Sequence, residues 1–322
     1  MTETRGLLGN QELAGFVRAA FGARELVSVD RLRGGSKKGV YRLTLDDHTT
    51  NIAYVWNAAE DYWPDTAAQD QDDPFGHASG LELFAAAHDE LSAIGVRVPE
   101  IVMLDRSKSL LAGDVAVVED VRGDTLEALC EHDQPRAREV LVRLGDVVQA
   151  MHRTRRDRYG RPGSGRVGGT EQLVLRRAVN DLAQAAARVE EIAAVERRLA
   201  DLLDERHAAV APRAEYAFIH GELGADHVLV DDHGQPVLID IEGAMYFDVE
   251  WEHVFLELRF GDNYRYLRAD DLDDDRLRFY RLVMYLSLVA GPLRLLDGDV
   301  PHRAAMLDIV RHNIGRTLRQ LS

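Results

Sequence analysis

Hydrophobic and polar positions alternate along this chain with two periods. Leu13, Phe16, Val17 and Ala20 recur at spacings of three and four and predict a short helix over residues 10–22. Residues 27–32 then read as a strand, residues 33–39 as a glycine-rich turn, and residues 40–45 as a second strand. Asp46–Asp47–His48 makes the next turn and residues 51–56 a third strand. The pattern is an antiparallel meander. Leu81, Phe84, Ala85, His88 and Leu91 line one side of a helix over residues 79–94, which Gly95 should stop. Residues 96–104 and 114–121 supply two more strands. After Gly123 the period becomes helical, with Val140, Leu141, Leu144, Val147, Val148 and Met151 on one face. Residues 158–170 carry five glycines and a proline and read as a loop. Residues 171–207 predict one or two helices. Residues 274–296 and 302–320 predict two more, the first broken at Pro292. The acidic run over residues 270–275 reads as a helix cap or a solvated stretch.

Composition changes this picture little. The 322 residues suffice for two lobes, each with its own core. Hydrophobic residues at 46% and charged residues at 29% are an ordinary globular balance. No apolar run approaches a membrane span, and Met1–Thr2–Glu3–Thr4–Arg5 lacks the apolar region of a secretion signal, so a cytoplasmic location is the expectation. The single cysteine, Cys130, excludes an intrachain disulfide and reads as a core-filling residue. A formal net charge of −16 disfavours nonspecific nucleic-acid binding; it suits a cationic substrate or simply solubility.

The candidate chemistry lies between residues 218 and 243. Phe218–Ile219–His220–Gly221–Glu222–Leu223–Gly224–Ala225–Asp226–His227 is a polar loop between apolar runs. Pro236–Val237–Leu238–Ile239–Asp240–Ile241–Glu242–Gly243 follows it. Phosphoryl transfer asks a protein for charge neutralisation around the phosphates and a carboxylate beside the attacking hydroxyl. Glu222 is placed to be that carboxylate, and Asp240, closing the run 237–239, to bind magnesium as a hard oxygen ligand.

These residues resemble the aminoglycoside phosphotransferase family, a kinase-like group that includes choline and homoserine kinases. The family's catalytic loop reads H-G-D-x-x-x-x-N and its metal aspartate follows as I-D-x-x. Here the loop is His220–Gly221–Glu222 with His227, and the metal position Ile239–Asp240–Ile241–Glu242. Residues 247–252 resemble the family's G-D-P-x-x-D-L segment, and residues 115–126 its hinge strand with a trailing G-x-x-L. The resemblance implies that His220 holds the loop by hydrogen bonds, that Asp248 anchors the loop backbone, and that Glu119 and Val121 flank the nucleotide.

Three positions depart from the pattern. Glu222 stands for the catalytic aspartate. His227 stands for the magnesium asparagine, although imidazole suits magnesium poorly; neighbouring Asp226 offers an oxygen or serves as a turn residue. The third-strand lysine that grips nucleotide phosphates is absent from residues 52–56. Its replacement is expected in the glycine-rich turn, where Gly35 and Ser36 would present backbone N–H and hydroxyl groups and Lys38 the charge. Glu82, matching the helix glutamate that pairs with the absent lysine, would then be solvated.

The expected fold is α+β, a bilobal protein-kinase-like arrangement. Residues 1–121 form a small antiparallel-sheet lobe, and residues 122–322 a mainly helical large lobe carrying the catalytic loop. The expected function is an O-phosphotransferase using ATP or GTP with Mg2+ on a small hydroxylated molecule. Glu222 is the catalytic residue, Ser36, Lys38, Gly35, Glu119 and Val121 bind nucleotide, and Asp240 and His227 bind metal. Glu242, Glu250, Glu252 and the acids around Asp262 would receive a cationic, aminoglycoside-like substrate. The alternative is a noncatalytic kinase-fold protein that binds a nucleotide or small ligand. Oligomeric state is left open.

Overall fold

The structure is a computed structural model that describes residues 8–32, 36–63, 73–76, 78–109 and 111–321. The elements in chain order are α1 (Asn10–Phe21), β1 (Leu26–Arg31), β2 (Gly39–Leu45), β3 (Thr50–Trp56), α2 (Leu81–Ala93), β4 (Ile101–Asp105), β5 (Asp114–Glu119), α3 (Leu126–His132) and α4 (Gln134–Arg153). There follow β6 (Arg155–Arg156), α5 (Thr170–Ala186), α6 (Glu190–Ala193), α7 (Glu196–Ala209), β7 (Tyr216–Ile219), β8 (Val228–Val230), β9 (Pro236–Leu238), β10 (Met245–Phe247), α8 (Val249–Phe260), α9 (Asp274–Leu295) and α10 (Arg303–Leu318).

The chain divides into two compact units. The first comprises Met1–Trp63, Phe75–Arg143 and Asp226–Gly243. Its sheet has the order β1-β2-β3-β5-β4, all neighbours antiparallel. Successive side chains of a strand point to opposite faces, so the two faces of this sheet have different partners. Tyr41, Leu43, Leu45, Ala53, Val55, Val115 and Val117 face Leu13, Phe16 and Val17 of α1 and form one core. On β3 the intervening residues Tyr54 and Trp56 pack against Phe84 of α2, edge-to-face and tilted respectively, with ring centroids 5.5 and 5.8 Å apart. The β8–β9 hairpin also belongs to this unit, Val228 opposite Leu238 and Val230 opposite Pro236. The hairpin is tied in by a hydrogen bond from Leu238 N–H to Arg97 O (2.9 Å), and the 3-10 turn Ile241–Gly243 after it packs against α2.

The second unit comprises Pro64–Pro74, Leu144–Ala225 and Ala244–Ser322. It is mainly helical: α9 packs against α5, α7, α8 and α10. Its small sheet has the order β10-β7-β6, with Met245 opposite Ile219 and Phe247 opposite Ala217.

Several local expectations shift. The strand expected over residues 96–104 is β4 alone; Pro99 within the preceding stretch has no N–H to give a ladder. The region 171–207 makes three helices. Pro292 does not break α9 where expected, because it lies in the last turn, where only the Leu288 carbonyl loses its donor and the helix ends three residues on. The acidic run does cap a helix: the Asp273 carboxylate accepts from the N–H groups of Asp275 and Arg276 at the start of α9. Among the described residues no helix is long and apolar enough to cross a membrane.

Candidate active site

In the first unit, Asp240 lies two residues past the end of β9. Ile239 donates its N–H to the His227 carbonyl at 3.0 Å, which closes the hairpin and sets the next residue at the turn. Asp240 has φ +59, a left-handed conformation. Such a backbone costs a non-glycine residue of order 1–2 kcal/mol, and aspartate tolerates it better than most. Its carboxylate meets Lys38, whose Nζ lies 2.7 Å from Asp240 Oδ1 and 2.5 Å from Glu242 Oε1. The ammonium also sits 5.0 Å from the centre of the Tyr54 ring, on β3. Lys38 is 6% exposed, so burial alone would lower its pKa; the charges of Asp240 and Glu242 outweigh burial and hold it well above the ordinary lysine value. Burial likewise raises the Tyr54 hydroxyl to about 12. Lys38 is aimed by β2, whose first residue, Gly39, opposes Val55. A Cβ at Gly39 would come within 2.6 Å of Glu60 Cδ and of the Tyr41 ring, so only glycine fits beside Lys38.

The other candidates of this unit are placed as follows. Gly35 lies outside the described residues. The Ser36 hydroxyl accepts from Trp63 Nε1 at 3.0 Å and its carbonyl accepts from Tyr62 N–H at 2.8 Å, so residues 62–63 brace the turn. The Glu119 carboxylate is taken by Arg97 (2.6 and 2.7 Å), and Val121 is buried. His227 Nε2 lies 3.6 Å from Asp240 Oδ2 and 3.7 Å from Asp226 Oδ2. Glu82 is exposed, as the sequence suggested, and pairs with Arg106.

Glu222 belongs to the second unit and is exposed, in the loop between β7 and residue 226. Gly221 before it has φ +88, a conformation that favours glycine, and donates its N–H to Glu252 Oε2 at 2.7 Å. The His220 N–H reaches the same carboxylate. Glu252 is buried on α8. Burial raises its pKa, the two backbone donors oppose that, and the charge of Glu222 adds to the rise, leaving it at about 7.

The carboxylate that holds the backbone of the 220–222 loop is therefore Glu252, which corrects the expectation for Asp248. Asp248 is buried in a different network: it accepts from Arg276 Nη1 at 2.7 Å, from Thr170 Oγ1 at 2.9 Å and from the Tyr280 hydroxyl, with Arg213 3.5 Å away. A signal for Glu252 was present, because it holds the final acidic position of the G-D-P-x-x-D pattern. The substitution of glutamate for aspartate hid it. The same change occurs at Glu222, so the loop carboxylate and its anchor are both one methylene longer than in the family pattern.

The set expected to receive a cationic substrate also needs correction. Glu242 is bound to Lys38, Glu250 makes a two-pronged pair with Arg213 (2.6 and 2.9 Å), and Glu252 holds the loop backbone; all three are buried. Buried carboxylates are retained where they are paired, and these three are engaged inside the protein. Asp262 is exposed.

Among the described residues, no group of three or more His, Cys, Asp or Glu side chains is arranged to hold a metal ion. Magnesium needs less than that: it takes one or two carboxylates and completes its shell with water and phosphate oxygens. The Asp240 side chain, 43% exposed, fits such a role. The imidazole of His227 is a weaker match for a hard cation.

The model of the phosphotransferase enzyme family matches residues 40–281, three quarters of the chain. The chain belongs to this family. Solved structures agree on its kinase-like fold. A thermostable mutant of aminoglycoside phosphotransferase APH(4)-Ia superposes with a TM-score of 0.66 at 17% identity, covering 96% of this chain and 98% of that one. Spectinomycin phosphotransferase APH(9)-Ia gives a TM-score of 0.66 at 12% identity over 98% of both chains. A putative fructosamine-3-kinase from Thermobifida fusca gives 0.53 at 21% identity, covering 95% of this chain and 98% of that one. No curated protein sequence matches.

Proposed function

We propose that this phosphotransferase-family protein moves the γ-phosphoryl group of ATP or GTP onto a hydroxyl of a small molecule. The observation that carries the reading is the buried Lys38 ammonium held against Asp240 at 2.7 Å. It joins, in one unit, a cation for phosphates and a carboxylate for magnesium, although the family's strand lysine is absent. In this reading Lys38 and the turn around Ser36 bind the phosphates, and main-chain groups at Glu119–Val121 meet the base. Asp240, with His227 beside it, holds magnesium. When bound, the cation would neutralise charge on the phosphate oxygens. Glu222 orients the acceptor hydroxyl and takes its proton as the new oxygen–phosphorus bond forms; the bond from γ-phosphorus to the β-phosphate oxygen breaks, and the nucleoside diphosphate leaves.

The relatives support the choice of substrates. The spectinomycin phosphotransferase structure contains ADP and spectinomycin, and one structure of the APH(4)-Ia mutant contains ADP and hygromycin B. For this chain the acceptor is a hydroxylated small molecule. The burial of Glu242, Glu250 and Glu252 removes those three side chains from any cation-binding surface.

The test is Glu222→Gln. Its turnover should fall by ~10²–10⁴, the usual worth of a positioned general base, with nucleotide affinity within about twofold of the parent. Equal turnover removes Glu222 from the mechanism. Nucleotide binding that ignores magnesium, without turnover on any acceptor, would favour the noncatalytic alternative, for which the histidine at position 227 speaks.

A further inference from the structure

Resting on the nucleotide site proposed above, we infer that Glu242 positions Lys38, and that Asp240 is the lysine's exchangeable partner, released when nucleotide and a divalent cation bind. The lysine–glutamate pair of the family pattern is thus rebuilt from two other elements. The lysine comes from the turn before β2, and the glutamate from the 3-10 turn after β9.

Three observations carry this. First, the positions expected to supply the pair do not. The strand β3 has no lysine, and Glu82 on α2 is exposed and bound to Arg106. Second, the Lys38 ammonium lies over the ring of Tyr54, so a lysine from the turn before β2 delivers its charge beside β3. Third, the two carboxylates on Lys38 are unequal. Glu242 is 5% exposed, and its other oxygen, Oε2, is buried with no hydrogen-bond partner among the described residues. Without Lys38 its charge would be stranded in the interior, which makes that pair costly to open. The Asp240 side chain is 43% exposed. Water screens it and can replace the ammonium at small cost. Glu242 is therefore the permanent partner and Asp240 the exchangeable one.

The test uses the full chain and isothermal titration with ATP, with and without magnesium. Glu242→Gln should weaken metal-free ATP binding about tenfold or more, the loss of one charge-assisted contact from a lysine no longer held in place. Asp240→Asn should leave metal-free affinity within about twofold and abolish the strengthening by magnesium. Glu250→Gln, which removes an equally buried paired carboxylate from the other unit, controls for general destabilisation and should leave affinity unchanged. If Glu242→Gln does not fold, Glu242→Asp replaces it; keeping the charge but shortening its reach, it should give an intermediate loss. Parent-like metal-free affinity in Glu242→Gln or Glu242→Asp, or equal losses in the Glu242 and Asp240 variants, overturns the inference. Failure of the parent protein to bind any nucleotide instead overturns the proposed function.

Discussion

Replacing Glu252 by glutamine tests how the catalytic loop is held. Burial dominates the rise of its carboxyl pKa from 4.5 to about 7, against the opposing N–H groups of Gly221 and His220. A raised acid binds its proton more tightly in the folded state. Between about pH 4.5 and 7 the folded protein therefore holds one proton that the unfolded chain has lost, and stability falls as pH rises through this window. At ~1.4 kcal/mol for each pH step the full effect is about 3 kcal/mol, present above pH 7 and absent below 4.5. Glu252 is fully buried, so solvent does not dilute this figure. Glutamine cannot titrate. Its amide oxygen can still accept from the Gly221 N–H but carries no charge, so the loop carrying Glu222 exchanges a charge-assisted contact of about 1.5–3 kcal/mol for a neutral one of about 0.5–1.5 kcal/mol. The assay is urea unfolding of both proteins from pH 4.5 to 8. The parent's stability relative to Glu252→Gln should fall by about 3 kcal/mol across the range. Parallel profiles would refute a buried, titrating Glu252.

Two further outcomes follow from the same geometry. Asp248→Ala strands Arg276 and should cost about 3–5 kcal/mol in denaturant unfolding, because it breaks a buried ion pair by removing one partner; a loss below 1 kcal/mol would deny the network its structural role. Glu82→Ala should change neither melting temperature nor ATP affinity, since its only described ionic partner is the exposed Arg106; a tenfold loss of affinity would return Glu82 to the nucleotide site.

Much of the fold was legible because it is local. The alternation in β2 and β3 and the 3–4 spacing in α1 and α2 report which side of each element is buried, and β1, β2 and β3 pair in chain order. What failed to show was non-local. Lys38 could be singled out as one of the cations of its turn. Its partners, however, lie 202 and 204 residues away, and only the folded chain reveals that Glu242 is consumed by the pair. Glu250 and Glu252 looked like surface acids because charge in a sequence carries no sign of burial; Arg213 and the Gly221 N–H decide it. Asp248 was assigned the anchor role because it is the aspartate of its segment. Chain length explains the exchange, since Glu252 lies one helical turn further along α8 and its longer side chain spans to the loop.

The most direct test of the central claim is phosphorus NMR of ATP or GTP with magnesium, the purified protein and a panel of hydroxylated small molecules. The account predicts loss of the γ-phosphate signal and growth of a phosphomonoester resonance with at least one acceptor, both abolished by Lys38→Met. A phosphomonoester that forms as fast with Lys38→Met as with the parent protein would contradict it.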